Sequence, residues 1–469
     1  MNRHQARSGL DPTGWFRPSV LPFLCFLCAG AGFAQSGTAA ATGPNSGTTP
    51  VVSETVEWKE TLEYGIDSEI ISLLERLSSG KDLRLAREVL GVFSVTRNVA
   101  VREAALKYFV ETGYREAVDD VLAVLDRYDE ESVQVLLSAF RYLSALKPDG
   151  LADRALPLID HENRGVASVA IKAIGETGSE RHLEELLEKL DDEEYENERK
   201  SDIILALGDL GAEGAVDRLV SILEDTDSEP IWRRYACISL GKIGRADTLE
   251  TLIGVYAEAD TLLRSYAVSG VALYRDDRVI PFLIDALKDS YVRVRISAAQ
   301  GLAERKVTEA VPILVYKAKK DPEAAVRTEA MTALAKIGGY EAVEYLTSVV
   351  RDEKTTLANR EKAIVLLVEH RIEAALEVLE ETLAKEWEKK DSKLVEIIGR
   401  ELSKKEAPGL ERLLERLLDH PSYVVQIYGI RGIERNGLVR FRNRIEELSE
   451  GERTHTAVKK AALAALERL

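Results

Sequence analysis

Arg293-Val-Arg-Ile-Ser-Ala-Ala-Gln-Gly-Leu302 and Ala325-Val-Arg-Thr-Glu-Ala-Met-Thr-Ala-Leu334 share one pattern of apolar and small residues. Both place Val, Ala and Leu four residues apart, which lines one face of an α-helix. Val101-Arg-Glu-Ala-Ala-Leu106 opens the same way. A glycine-ended stretch follows in several copies: Ala173-Ile-Gly-Glu-Thr-Gly178, Ala206-Leu-Gly-Asp-Leu-Gly211, Ser239-Leu-Gly-Lys-Ile-Gly244 and Ala333-Leu-Ala-Lys-Ile-Gly338. The final glycine predicts a helix stop with a left-handed C-cap. Shortly after it comes a third signal, Ala215-Val-Asp-Arg-Leu219, Ala310-Val-Pro-Ile-Leu314 or Ala342-Val-Glu-Tyr-Leu346, the start of a second helix. The position after the first Val recurs from 102 to 459 at spacings of 30 to 34 residues. A two-helix unit of this length cannot bury its apolar face alone, so units must stack. The prolines beyond residue 57 fall in turns or first helical turns, where a missing N–H costs nothing.

The composition agrees. The chain has 469 residues, 45% of them hydrophobic but only 6% aromatic, so its core is aliphatic and alanine-rich. The 63 Lys and Arg are outnumbered by 80 Asp and Glu, for a net charge of −17. That excludes general nucleic-acid binding, which needs a basic footprint, and disfavours docking on anionic lipid.

The N-terminus is different material. Arg3, Arg7 and Arg17 precede an apolar stretch, Val20 to Ala34, that ends Ala31-Gly32-Phe33-Ala34. Residues 1–34 therefore read as a secretory signal peptide cut after Ala34. Left uncleaved, the same stretch would be the chain's one membrane contact. Residues 35–57 read as a flexible Gly/Ser/Thr/Pro linker. Residues 58–469 are the repeat array. An exported chain with a single remaining thiol, Cys237, must hold together without internal disulfides.

The Asp…Val-Arg-x-x-Ala…Gly…Ala-Val-x-x-Leu order resembles HEAT repeats, more narrowly the short bacterial HEAT-like units of phycobilisome bilin lyases. The resemblance runs from about Glu60 to Leu469 and implies an all-α, right-handed α-solenoid of about twelve helix pairs, with Thr456–Leu466 a lone closing helix. Asp289 precedes Arg295 by six residues and Asp321 precedes Arg327 by six. In HEAT repeats such residues form a ladder between units, and the resemblance assigns these four to stacking.

Chemistry is sparse. There is no Gly-rich phosphate loop, Cys-x-x-Cys or Gly-x-Ser-x-Gly. Deoxyhypusine hydroxylase, which has a HEAT fold, holds two irons with four His-Glu dipeptides; here only His161-Glu162 matches. No metal site, cofactor or catalytic residue is expected. Two columns on the second helices invite a surface role. Asp119, Glu184, Asp217, Glu250, Glu344, Glu377, Glu411 and Glu446 form an acidic one, which the positive helix N-termini also explain. At the next position, Phe282, Ile313, Tyr345 and Val378 are apolar in four successive units, while charged or polar residues dominate the ends. Exposed, they would form a protein-binding stripe on the concave side; rotated inward, they would be core. The expected function is an exported, non-enzymatic scaffold for proteins or peptides. The alternatives are an enzyme or accessory of the bilin lyase or hydroxylase type, and a cell-envelope glycan-binding protein with Trp232 and Trp387 lining one groove.

Overall fold

The computed structural model describes residues 51–257, 260–389 and 392–469. The segment read as a signal peptide lies outside them. The first described helix, α1 (Val51–Tyr64), begins seven residues before the expected linker ends, so residues 51–57 are helical. Trp58 and Leu62, one turn apart, are both buried, and the Arg76 and Arg84 guanidiniums lie 4.8 and 4.9 Å from the Trp58 ring. That anchor carries the helix back toward its N-terminus, where Glu54 faces the positive end of the dipole.

Twelve helix pairs follow. Their first helices are α2 (Asp67–Ser79), α4 (Val99–Thr112), α6 (Val133–Leu146), α8 (Arg164–Thr177), α10 (Asn197–Leu210) and α12 (Pro230–Ile243). They continue as α14 (Thr261–Val271), α16 (Val292–Glu304), α18 (Ala324–Ile337), α20 (Leu357–His370), α22 (Lys393–Leu402) and α24 (Tyr423–Arg435). The second helices are α3 (Ala86–Val95), α5 (Val118–Leu125), α7 (Leu151–Ala155), α9 (Leu183–Asp191), α11 (Val216–Glu224) and α13 (Leu249–Val255). They continue as α15 (Val279–Ala286), α17 (Val311–Lys320), α19 (Tyr340–Arg351), α21 (Ile372–Glu386), α23 (Glu411–Leu418) and α25 (Arg442–Glu450). The closing helix is α26 (Thr456–Leu466). Thr55–Leu469 form one unit whose buried aliphatic core runs continuously between the two layers, an α-solenoid.

Local chemistry sets the helix ends. Asn98, Ser132, Asn163, Asp260 and Thr356 cap first helices by accepting from backbone amides two or three residues on. Gly211 and Gly244 take the left-handed conformation at the C-caps, with φ 67° and 71°. Gly178 does not: its φ is −75°, and it is small because a Cβ would run into the Ile174 carbonyl. Gly338 has φ 76°, and its bare Cα leaves room for Arg371, which donates to the Ala335 and Lys336 carbonyls at 3.0 and 2.7 Å.

The two layers are spaced differently. Each first helix packs closely on the next, along the whole array. Small residues make this approach backbone to backbone. A Cβ on Gly175 would stand 2.8 Å from Ala206 Cα, one on Gly208 2.5 Å from Ser239 Cα, and one on Gly241 2.8 Å from Gly270 Cα. Among the described residues, neighbouring second helices approach most closely at α5–α7, α17–α19 and α19–α21. Elsewhere long ion pairs reach across, as Lys189–Asp160 at 2.8 Å and Arg218–Asp191 at 2.7 Å. A two-layer stack bends toward its tighter layer, so the first helices line the inside of the curve.

Candidate partner-binding face

The Asp/Arg residues act between units. Arg295 donates to both oxygens of Asp321, at 2.9 and 2.8 Å, and to the Asp289 and Ser290 carbonyls of its own turn. Arg327 donates to the Asp321 and Pro322 carbonyls at 2.7 and 2.9 Å. Asp289 takes Arg264 at 3.2 Å and the Tyr256 hydroxyl at 2.8 Å. Arg264 and Arg295 thus each reach the aspartate carboxylate of the following unit, whereas Arg327 braces the backbone of its own turn, and Arg295 and Asp321 are almost wholly buried. Burial alone would raise the Asp321 pKa. Hydrogen bonds from Arg295 and the Glu323 amide outweigh it and hold the carboxyl below its ordinary value.

The expected apolar stripe is not an exposed one. Phe282 and Ile313 are half-buried, Tyr345 is 9% exposed and Val378 is 0% exposed. All four sit on second helices, the outer layer, so they do not line the concave side. Phe282 meets the Tyr256 ring edge-on at 5.1 Å, across to the preceding unit. Ile313, Tyr345 and Val378 fall where α17, α19 and α21 approach one another closely. There the flank of each second helix becomes a seam between units, and apolar side chains fill it. In α21 the helix starts directly at Ile372, and Ala375, Val378, Leu379 and Leu383 all turn into the core.

The acidic column is partly paired. Asp217 bonds Arg245 at 2.9 Å and Glu250 bonds Arg278 at 2.6 Å, each across to the next unit. The histidines cap turns. Nδ1 of His161, His420 and His455 accepts from the amides of Asn163, Ser422 and Ala457, and that of His182 from Ser179. Among the described residues no group of three or more His, Cys, Asp or Glu is placed to hold a metal. Trp232 donates to the Asn197 carbonyl from first helix α12, whereas Trp387 follows second helix α21 beneath Arg416. The two stand in different layers and do not share a groove.

The surface that sequence reasoning missed is on the first helices. The second and sixth residues of α10, α12, α14, α16 and α18 stay half-buried or exposed, on the flank turned away from the core. Across α12, α14 and α16 this flank carries Ile231, Tyr235, Leu262, Tyr266 and Ile296, all half-buried, with Arg234 and the exposed Arg293 among them, and Leu273, just after α14, is 48% exposed. The Tyr235 and Tyr266 ring centroids are 6.3 Å apart. Toward the ends, the same face bears Glu103, Lys107, Lys172, Glu361 and Lys362. The signal was present: the relevant position precedes each packed alanine, as in Tyr235-Ala236 and Tyr266-Ala267.

A repeat of paired helices with this ladder is matched over residues 62–465 by the model of the spirochaete HEAT repeat proteins. The chain belongs to that family. Solved structures are similar to the chain at low identity. YibA of Escherichia coli is 18% identical, covering 56% of this chain and 97% of its own, with a TM-score of 0.37. Kap121p bound to Nup53p is 13% identical over 89% of this chain and 57% of its own, TM-score 0.40. The CpcE–CpcF complex of phycocyanin lyase from Nostoc sp. is 14% identical over 68% and 95%, TM-score 0.27. No curated protein matches the chain.

Proposed function

We propose that this HEAT-repeat protein is an exported, non-enzymatic scaffold that binds a protein or peptide along the inner face of its first helices. The observation that carries the reading is the half-exposed apolar run of Ile231, Tyr235, Leu262, Tyr266, Leu273 and Ile296. Apolar surface gathered in one place and flanked by charge is the ordinary mark of a protein contact. The histidines support a structural rather than a chemical role, because four of the five beyond residue 34 hold backbone amides. A net charge of −17 supports a protein partner over nucleic acid. Among the described residues no helix is long and apolar enough to cross a membrane. Export rests on residues 1–34 alone, and N-terminal sequencing of the native protein should begin at Gln35; a chain starting at Met1 would overturn it.

The binding reading is tested by crosslinking in the native envelope, with the wild-type chain beside a Tyr235→Ser, Tyr266→Ser double variant. One defined crosslinked partner should appear with the wild type and be lost from the double variant, whose urea midpoint is checked in parallel. Retention of that partner by a folded double variant would move the site off the inner face.

A further inference from the structure

The sixth residue of successive first helices forms a line along the inner face: Asp202 in α10, Tyr235 in α12, Tyr266 in α14, Ser297 in α16 and Glu329 in α18. An aromatic pair thus lies between two carboxylates. Of the nearby cations, Lys242 is engaged by Asp209 at 2.5 Å, Lys336 by Glu304 at 2.6 Å and Arg234 by Asp260 at 3.4 Å, while Arg164 and Lys362 stand near the two carboxylates without closing on them as ion pairs. Asp202 instead accepts from the Ser168 hydroxyl, and Glu329 from Gln300. Among the described residues neither stands in an ion pair. Burial holds both carboxyls above their ordinary pKa, despite Arg164 near the first and Lys336 and Lys362 near the second. A half-buried carboxylate without a counter-ion is costly, and a cation brought by a partner removes that cost.

We propose that the inner face takes an extended, basic polypeptide segment, its aliphatic side chains against Tyr235 and Tyr266 and a Lys or Arg meeting each of Asp202 and Glu329. This rests on the scaffold reading above and names its partner's chemistry. Charge complementarity supports it: the chain carries −17 overall, and export would remove Arg3, Arg7, Arg17 and Asp11, leaving it more negative still. Asp202 and Glu329 are four helix steps apart. At roughly 8–10 Å per step and about 3.3 Å per extended residue, the two cations should be about ten to twelve residues apart.

The test is fluorescence anisotropy with a labelled Leu/Ser peptide carrying lysines about eleven residues apart, beside the same peptide with glutamates in their place. The lysine peptide should bind, more weakly at higher salt, and the glutamate peptide should not. Asp202→Asn with Glu329→Gln should weaken binding about tenfold without lowering the urea midpoint, because each removes an uncompensated charge. Equal binding of both peptides, or unchanged binding by the carboxylate variant, overturns the proposal. The native crosslink separates this from the broader reading. A partner lost on Tyr235→Ser, Tyr266→Ser but kept on Asp202→Asn, Glu329→Gln means a scaffold whose occupant is not basic. A partner kept by both folded variants ends both readings.

Discussion

Single atoms decide stability where first helices touch. Gly241 and Gly254 are both helical glycines, in α12 and α13, with opposite surroundings. A Cβ on Gly254 meets nothing within 4 Å, so Gly254→Ala should stabilise the protein by about 0.5–1 kcal/mol through helix propensity alone. A Cβ on Gly241 would press into the Gly270 backbone, which cannot move aside as a side chain can. Overpacking of this kind costs about 1–3 kcal/mol, so Gly241→Ala should lower the urea midpoint while Gly254→Ala raises it. The ladder makes a second case. Asp321→Ala leaves the buried Arg295 guanidinium without its carboxylate and should cost about 3–5 kcal/mol, whereas Arg295→Met with Asp321→Leu should come out near neutral. The Asp321 carboxyl is held below its unfolded value, so its contribution is present above that value and is lost as pH falls through the lower, folded one.

At the scale of the element, the second helices illustrate how one register position changes meaning. Phe282, Ile313, Tyr345 and Val378 share a place in the repeat, yet exposure falls along the series as the outer helices close up. Tyr345→Ala should therefore behave as a core truncation, costing about 3–5 kcal/mol in urea unfolding; a change within about 0.5 kcal/mol would instead mark a surface side chain. The turn after α23 holds a pH-sensitive contact. His420 is buried, accepts from the Ser422 amide at 3.1 Å and meets the Trp387 ring edge-on at 4.9 Å, while Arg416 lies 4.6 Å from that ring. Burial lowers the His420 pKa, so the folded state keeps the ring neutral where the unfolded chain is already protonated. Stability should fall as pH drops from about 6.5, the unfolded value, toward the lower folded one. His420→Asn, whose side-chain oxygen can still accept from Ser422, should lose less stability between pH 7 and pH 5 than the wild type, as read by urea midpoints.

Across the whole molecule, contacts run between neighbouring units, so stability is close to a sum of unit and interface terms. Damage at one interface should stay near it. Trp58, Trp232 and Trp387 sit in α1, in α12 and just after α21, and chains retaining one tryptophan each report on separate stretches. With Gly241→Ala, the Trp232 transition should move to lower urea by more than those of Trp58 and Trp387. Coincident shifts in all three would show a single cooperative unit instead.

The sequence alone determined the two-helix unit, its period, the left-handed caps at Gly211 and Gly244 and the Asp/Arg spacing. Each depends on residues a turn or one unit apart: Val294, Ala298 and Leu302 share a face whatever lies beyond them, and Asp321 follows Arg295 by one period less a turn. Only the tertiary structure decided which layer is inner and which flank is open. Those follow from interhelix spacing, set by the summed bulk of facing residues such as Gly208 with Ser239 and Gly241 with Gly270. No periodicity within one helix encodes that sum. For the same reason a column of apolar residues on the outer helices could be read as a groove, while Asp202, Tyr235, Tyr266 and Glu329 became a line only when five first helices were set side by side at equal register.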